Sequence, residues 1–308
     1  MDVTLYSHDS FDHHATPEGH PEQVARLHAV RDALADFDLD RREAPIAPWS
    51  EVLRCHSQAY IDRLMATQPA QGLAQLDGDT YLAPGSVEAG LRAVGAAQAA
   101  VDAILSGEIT RAFIAARPPG HHAETNQAMG FCLFGTVAIA AKRALDHHGL
   151  SRVAIVDFDV HHGNGTQDLL WDEERVLFCS SQQIPLYPGS GEKHERGAHG
   201  QIINQPLPPG SNGETMRQAY LSNILPKIDD FAPELILISA GFDAHKADPL
   251  ANLMWDEGDF VWLTVQICDL AVRHCHGRVV SSLEGGYDLP ALAASVAAHV
   301  TVLKEHGE

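Results

Sequence analysis

The chain is poor in positive charge. Its 308 residues include 21 lysines and arginines against 41 aspartates and glutamates, a formal net charge of -20. A nucleic-acid partner needs a basic face, so this balance argues against one. A cationic or polyamine-like substrate is compatible with it. Cysteine is also scarce: Cys55, Cys132, Cys179, Cys268 and Cys275 are odd in number and form no C-x-x-C pair, and several lie in apolar runs. That pattern points to buried free thiols in a reducing compartment. The most apolar helical segment, "SVEAGLRAVGAAQAAVDAIL" at 86–105, carries Glu88, Arg92 and Asp102. It reads as a core-packing helix and not as a membrane span. The opening "MDVTLYSHDS" has neither a basic n-region nor an apolar h-region, so the expected location is cytoplasmic, with no signal peptide. Internal repeats, low-complexity blocks and long linkers are missing too. One domain over 1–308 is therefore expected, of ordinary globular composition at 45% hydrophobic and 20% charged.

Short β-rich runs alternate with helical patterns. Strands are expected at 3–7, 112–116, 152–158, 175–180, 234–240 and 278–283. Helices are expected at 21–37, 86–105, 134–149, 212–231, 257–275 and 289–306. The strand segments are continuous apolar runs, which suits strands buried on both faces of a parallel sheet. The predicted fold class is a three-layer α/β domain. In such sheets, sites form beyond the carboxyl ends of the strands. Five strands here are followed by polar clusters: "RPPGHHAE", "DFDVHHGNG", "SQQIPLYPGSG", "GFDAHKADP" and "EGGYD". Together they argue for one composite site.

Asp157, Asp159 and His161 recur at i, i+2 and i+4, which in an extended chain points them to one side. Asp159 and His161 can then reach one ion, with Asp243 the best third ligand. Two carboxylates and one imidazole leave a metal an open position, as in catalytic zinc sites. So oxygen-rich a set also accepts Fe(II), Mn or Co. A loop or N-cap aspartate at each place is the plainer alternative. His121 and His122, on a loop stiffened by Pro118 and Pro119, become an acid–base pair if a metal lies beside them. Asp157 can orient one imidazole and Asn164 the other. Tyr287, after two glycines, can donate to a developing oxyanion, although a lone tyrosine more often only packs its ring. Phe131 and Tyr187 are rim aromatics that suit either a narrow channel or the core.

Rival motifs fit less well. "DFDV" resembles the D-x-D of aspartyl-phosphate phosphatases, yet the early nucleophilic aspartate and catalytic lysine are not evident. "DVH" lacks the later "GNH" of metallophosphoesterases, and no G-x-G-x-x-G follows a strand. "GFDAH" is similar to the metal motifs of binuclear ureohydrolases, but the ligand count here favours one metal.

"HPE" at 20–22, "RPPGHH" at 117–122, "GFCLF" at 130–134, "DFDVHHGNGTQ" at 157–167, "YPGSG" at 187–191, "SAGFDAH" at 239–245 and "EGGYD" at 284–288 stand in a telling order. It is the order of the zinc-dependent histone deacetylase and acetylpolyamine amidohydrolase superfamily. The chain resembles a bacterial-type class II deacetylase over almost its whole length. The resemblance implies an arginase–deacetylase fold and zinc held by Asp159, His161 and Asp243. It implies His122 as general base and then acid, His121 assisting from its pairing with Asp157, and Tyr287 polarising the amide carbonyl. Gly130, Phe131 and Tyr187 would line an acyl-lysine tunnel. Oxygens of Asp157, Asp159, His161, Ser180 and Ser181 would hold a structural potassium. Asn164 stands where class I members have aspartate, "FGT" at 134–136 replaces the more usual Phe-Asn-Asn, and Gln182 replaces a common histidine. Leu250 occupies the place of a gatekeeper glutamate in a polyamine-selective member, which tilts the reading towards acyl-lysine.

The expected activity is removal of acetyl or another short acyl group from lysine side chains of a peptide or protein. The alternatives are an amidohydrolase of acetylated small amines, a non-catalytic acyl-lysine binding protein and a binuclear ureohydrolase. Nothing in the sequence points to a particular oligomer.

Overall fold

The apolar runs form strands where the sequence predicts them, and their burial explains their composition. The computed structural model describes residues 3–306. Its strands are β1 (Val3–Ser7), β2 (Asp40–Glu43), β3 (Ala74–Gln75), β4 (Tyr81–Leu82), β5 (Arg111–Ile114), β6 (Val153–Asp157), β7 (Val176–Gln183), β8 (Ile202–Leu207), β9 (Leu235–Ala240) and β10 (Val279–Leu283). Eight form one sheet in the order β2-β1-β5-β10-β9-β6-β7-β8, while β3 and β4 pair separately. Every pairing in the large sheet is parallel. All residues of β5, β6, β7, β9 and β10 are buried, which is why these strands read as uninterrupted apolar runs.

Helices Ala25–Ala33, Glu257–Cys275 and Leu289–Glu305 pack together, and so do Ser86–Leu105 and Thr136–Asp146. They flank the sheet to give the expected helix–sheet–helix layering. Helix Glu257–Cys275 starts in a capping box of Asp256 and Asp259 and stops at His276, which turns left-handed at φ 57°. Helix Leu289–Glu305 starts at Asp288, whose side chain accepts from the Ala291 N–H. That cap fixes the chain immediately after Tyr287.

The differences from expectation have physical reasons. Strands β2 ("DRRE") and β8 ("IINQPL") are sheet edges, where polar residues and a proline are tolerated, so no apolar run marks them. The first helix spans Ala25–Ala33 and not 21–37, because residues 21–24 turn to bury Glu22 against Arg26 and Arg117. Segment 212–231 is helical from Gly213 but passes through a π-turn at Tyr220–Ile224. Helices Gln58–Thr67 and Asn164–Leu169 also form, unforeseen. Strand β6 ends at Asp157, so Asp159 and His161 lie in a turn and not in extended chain.

Candidate active site

The five strands followed by polar clusters are neighbours in the sheet, in the order β5-β10-β9-β6-β7. Because all are parallel, their carboxyl ends lie on one edge. The sheet thus delivers His121 and His122 after β5, Tyr287 after β10, Asp243 after β9, and Asp159 and His161 after β6.

Asp159, His161 and Asp243 converge, each offering a ligand atom within 4.8 Å of the others, and all three are buried. His161 Nδ1 lies 3.1 Å from Asp159 Oδ1 and 3.1 Å from Asp243 Oδ2. Convergence comes from a turn: Asp159 Oδ1 accepts the His161 N–H at 2.9 Å, and Asp243 Oδ1 accepts the Val160 N–H at 2.8 Å. Asp159 Oδ2 accepts from Gly285 N–H at 2.8 Å. A Cβ at Gly285 would fall onto both carboxylates, and one at Gly241 onto Asp159. Backbone therefore approaches here where no side chain fits. Burial and the neighbouring Asp159 raise the Asp243 carboxyl. Burial would lower His161, but its contacts with Asp159 and Asp243 outweigh that and push it up to about 10. The trio draws positive charge to its centre. Two carboxylates and an imidazole, buried and held by backbone donors, fit a divalent metal with open positions.

The two loop histidines have unlike surroundings. His121 Nδ1 lies 3.0 Å from Asp157 Oδ2, and its Nε2 lies 3.7 Å from Asp159 Oδ2. Burial would lower this imidazole, but Asp159 and Asp157 together raise it well above the ordinary range. His122 is lowered well below that range by burial, by His121 and by His161. Its ring stacks 4.0 Å from that of His121, so two charges there would repel. Asn164 fixes its tautomer. The Asn164 amide N–H donates to Glu124 Oε1 at 2.7 Å, which turns Oδ1 towards His122 Nδ1 at 2.7 Å. Nδ1 must then carry the proton, leaving Nε2 with a free lone pair. One imidazole is set to be charged and the other to act as a base.

A family model described as the histone deacetylase domain matches residues 20–303. The chain belongs to this family. It is 41% identical to an uncharacterized protein of Synechocystis over 96% of this chain and 97% of that one. It is 40% identical to a histone deacetylase-like amidohydrolase of Pseudomonas aeruginosa, over 87% of this chain and 71% of that protein. The crystal structure of the HDA15 HD domain superposes with a TM-score of 0.93 at 32% identity, covering 99% of this chain and 89% of that one. The fold is that of the arginase–deacetylase class.

In this histone deacetylase-family chain a cavity of about 220 Å³ opens onto the cluster. Gly130, Phe131, Tyr187 and Leu250, all singled out from the sequence, line it with His122, His161 and Tyr287, and so do Asp79 and Leu186. His121 does not, which separates the imidazole facing the cavity from the one behind it. Phe131 adopts φ 69°, and its N–H donates to Thr80 Oγ1 at 3.0 Å. The larger cavity, about 910 Å³, lies along the β8 edge, carries none of the clustered residues and is not the site. Tyr287 turns into the cavity, with its ring 5.8 Å from that of Phe131. Burial raises its phenol well above 10, so it stays a donor.

Ser180 lies beside Asp157 across β6 and β7. The Ser180 hydroxyl donates to Gln182 Oε1, while that of Ser181 pairs with the Tyr220 hydroxyl. His162 is buried with Nδ1 2.8 Å from Ser190 Oγ.

Sequence reasoning passed over a supporting set. Arg26 donates to the carbonyls of Gly286 at 2.6 Å and Glu284 at 2.5 Å, and its guanidinium lies 4.9 Å from the Tyr287 ring centroid. Asp248 accepts from the Tyr287 N–H at 2.7 Å and the Leu250 N–H at 2.9 Å. Only the i, i+4 spacing of Glu22 and Arg26 was a visible signal.

Proposed function

We propose that this deacetylase-family chain is a zinc-dependent amidohydrolase that removes acetyl or another short acyl group from lysine side chains. The observation that carries the reading is the convergence of His122, His161 and Tyr287 on one cavity walled by Phe131, Tyr187 and Leu250. Zn(II), or Fe(II), Mn or Co in its place, held by Asp159, His161 and Asp243, supplies Lewis acidity to the amide carbonyl and to water. His122 Nε2 takes a proton from the attacking water and then gives it to the departing lysine amine. The C–N bond breaks, and acetate and free lysine leave. Tyr287 Oη–H donates to the carbonyl oxygen as negative charge grows on it. His121, tied to Asp157, supplies positive charge behind His122, while Asn164 keeps the His122 tautomer. Phe131 and Tyr187 flank the aliphatic part of the lysine, and Gly130 leaves room beside His122.

Leu250 supports a neutral acyl-lysine chain over a polyamine, since it places no charge in the wall. Asp79 on the same wall supports the second reading, an acetylated small cationic amine. A structural potassium held by oxygens of Asp157, Asp159, His161, Ser180 and Ser181 belongs to the same proposal. So do a single catalytic domain over 1–308 and a cytoplasmic setting, the latter supported by five free cysteines, four of them buried. No described helix is long and apolar enough to cross a membrane.

The test compares kcat/KM on an acetyl-lysine peptide with that on acetylspermidine, in wild type and Tyr287→Phe. The expected result is preference for the peptide and a kcat loss of about 10²–10³-fold in the variant. Preference for acetylspermidine favours the second reading; near-normal turnover by Tyr287→Phe removes the assigned mechanism.

A further inference from the structure

Beneath the histidine loop lies a carboxylate that neither metal ligation nor proton transfer uses. Glu284 follows β10 directly and is 1% exposed. Its Oε2 accepts the Gly120 N–H at 2.7 Å and the His121 N–H at 3.1 Å. The next N–H in the chain, that of His122, donates to Cys132 Sγ at 3.4 Å. Three successive backbone donors of the loop are thus held, two of them by one oxygen. Glu284 Oε1 has no hydrogen-bond partner, so Oε2 is the working atom.

Glu284 is itself well fixed. Its N–H donates to the Ala240 carbonyl at 2.9 Å, its carbonyl accepts from Arg26, and the following Gly285 N–H reaches Asp159. Burial pushes the Glu284 carboxyl up to about 7, so its hold on the loop rests on the acceptor oxygen and not on charge. Arg26 and Arg117 are both fully buried and both grip one buried carboxylate, Glu22.

We propose that Glu284 is a positioning residue for the catalytic loop: its Oε2 sets the peptide planes of Gly120 and His121. The imidazoles of His121 and His122 are thereby aimed at Asp157 and Asn164. The kinetic part rests on the deacylase reading; the structural part stands without it. An acceptor placed about 1 Å away would leave the two N–H groups unpaired and the imidazoles misaimed.

Two conservative variants separate acceptor from charge. Glu284→Gln keeps an oxygen at the same reach and loses the charge; Glu284→Asp keeps the charge and withdraws the oxygen by one methylene. Both are compared with wild type, zinc-loaded, by hydrogen exchange over residues 117–124 and by kcat and KM on an acetyl-lysine peptide. For Glu284→Gln, exchange and kcat should stay close to wild type. For Glu284→Asp, exchange at Gly120 and His121 should quicken and kcat fall about ten- to a hundred-fold with KM little changed. The reverse order, or an equal response of the two variants, overturns the proposal. If wild type hydrolyses no acyl-lysine peptide, the deacylase reading fails and the exchange data alone decide the positioning role.

Discussion

At the scale of single residues, environment assigns role more than identity does. Four of the buried histidines show this. His121 and His161 are raised because carboxylates outweigh burial, and His122 is lowered by burial and its neighbours. His299 is lowered to about 3 by burial alone, between the hydroxyls of Thr264 and Ser281. Its folded value lies below the unfolded value of 6.5, so the unfolded chain binds a proton that the folded one refuses. The stability contributed is complete above 6.5 and is lost as pH falls towards 3. Tm measured across this window should therefore decline less steeply in His299→Gln than in wild type; parallel curves would contradict it. The clustering of Asp159, His161 and Asp243 and of the histidine pair was legible because each lies just beyond an apolar run. Glu284, Asp248 and Arg26 were not. They act on backbone groups far away in sequence, and a carboxylate beside glycines looks the same in a string whether it is solvated or bears a loop.

At the scale of elements, legibility follows burial. Strands β5, β6, β7, β9 and β10 are buried throughout and were readable as apolar runs. Strands β2 and β8 were not, because an edge strand needs no such run. The turn at 158–163 was misread as extended chain, although Asp159 and His161 do share a target: the hydrogen bonds from Val160, His161 and Gly285 that bend it come partly from other strands. Helix Ser86–Leu105 shows the opposite case, where a residue poor for helices is required. Gly95 lies in its middle, and a Cβ there would press on the Pro45 carbonyl and the Ala47 nitrogen. Gly95→Ala gains about 1 kcal/mol of helix propensity. The overlap with backbone should cost more, so Tm in a thermal melt should fall by about 5 °C. A rise in Tm would show that the Pro45 segment yields.

At the scale of the whole molecule, topology makes the site. Five parallel strands adjacent in space but scattered in sequence bring their ends to one edge, so two carboxylates and an imidazole from β6 and β9 meet imidazoles from β5 and a phenol from β10. The excess of acidic residues does not assemble the site, which depends on a few buried carboxylates. The proposed role of one metal in the Asp159–His161–Asp243 trio is to support amide hydrolysis. It is tested by titrating metal-free protein with Zn(II) and measuring acetate released from an acetyl-lysine peptide. The predicted rate rises with added zinc and saturates at one equivalent per chain. Saturation only at two equivalents, or no acetate at any, would contradict it.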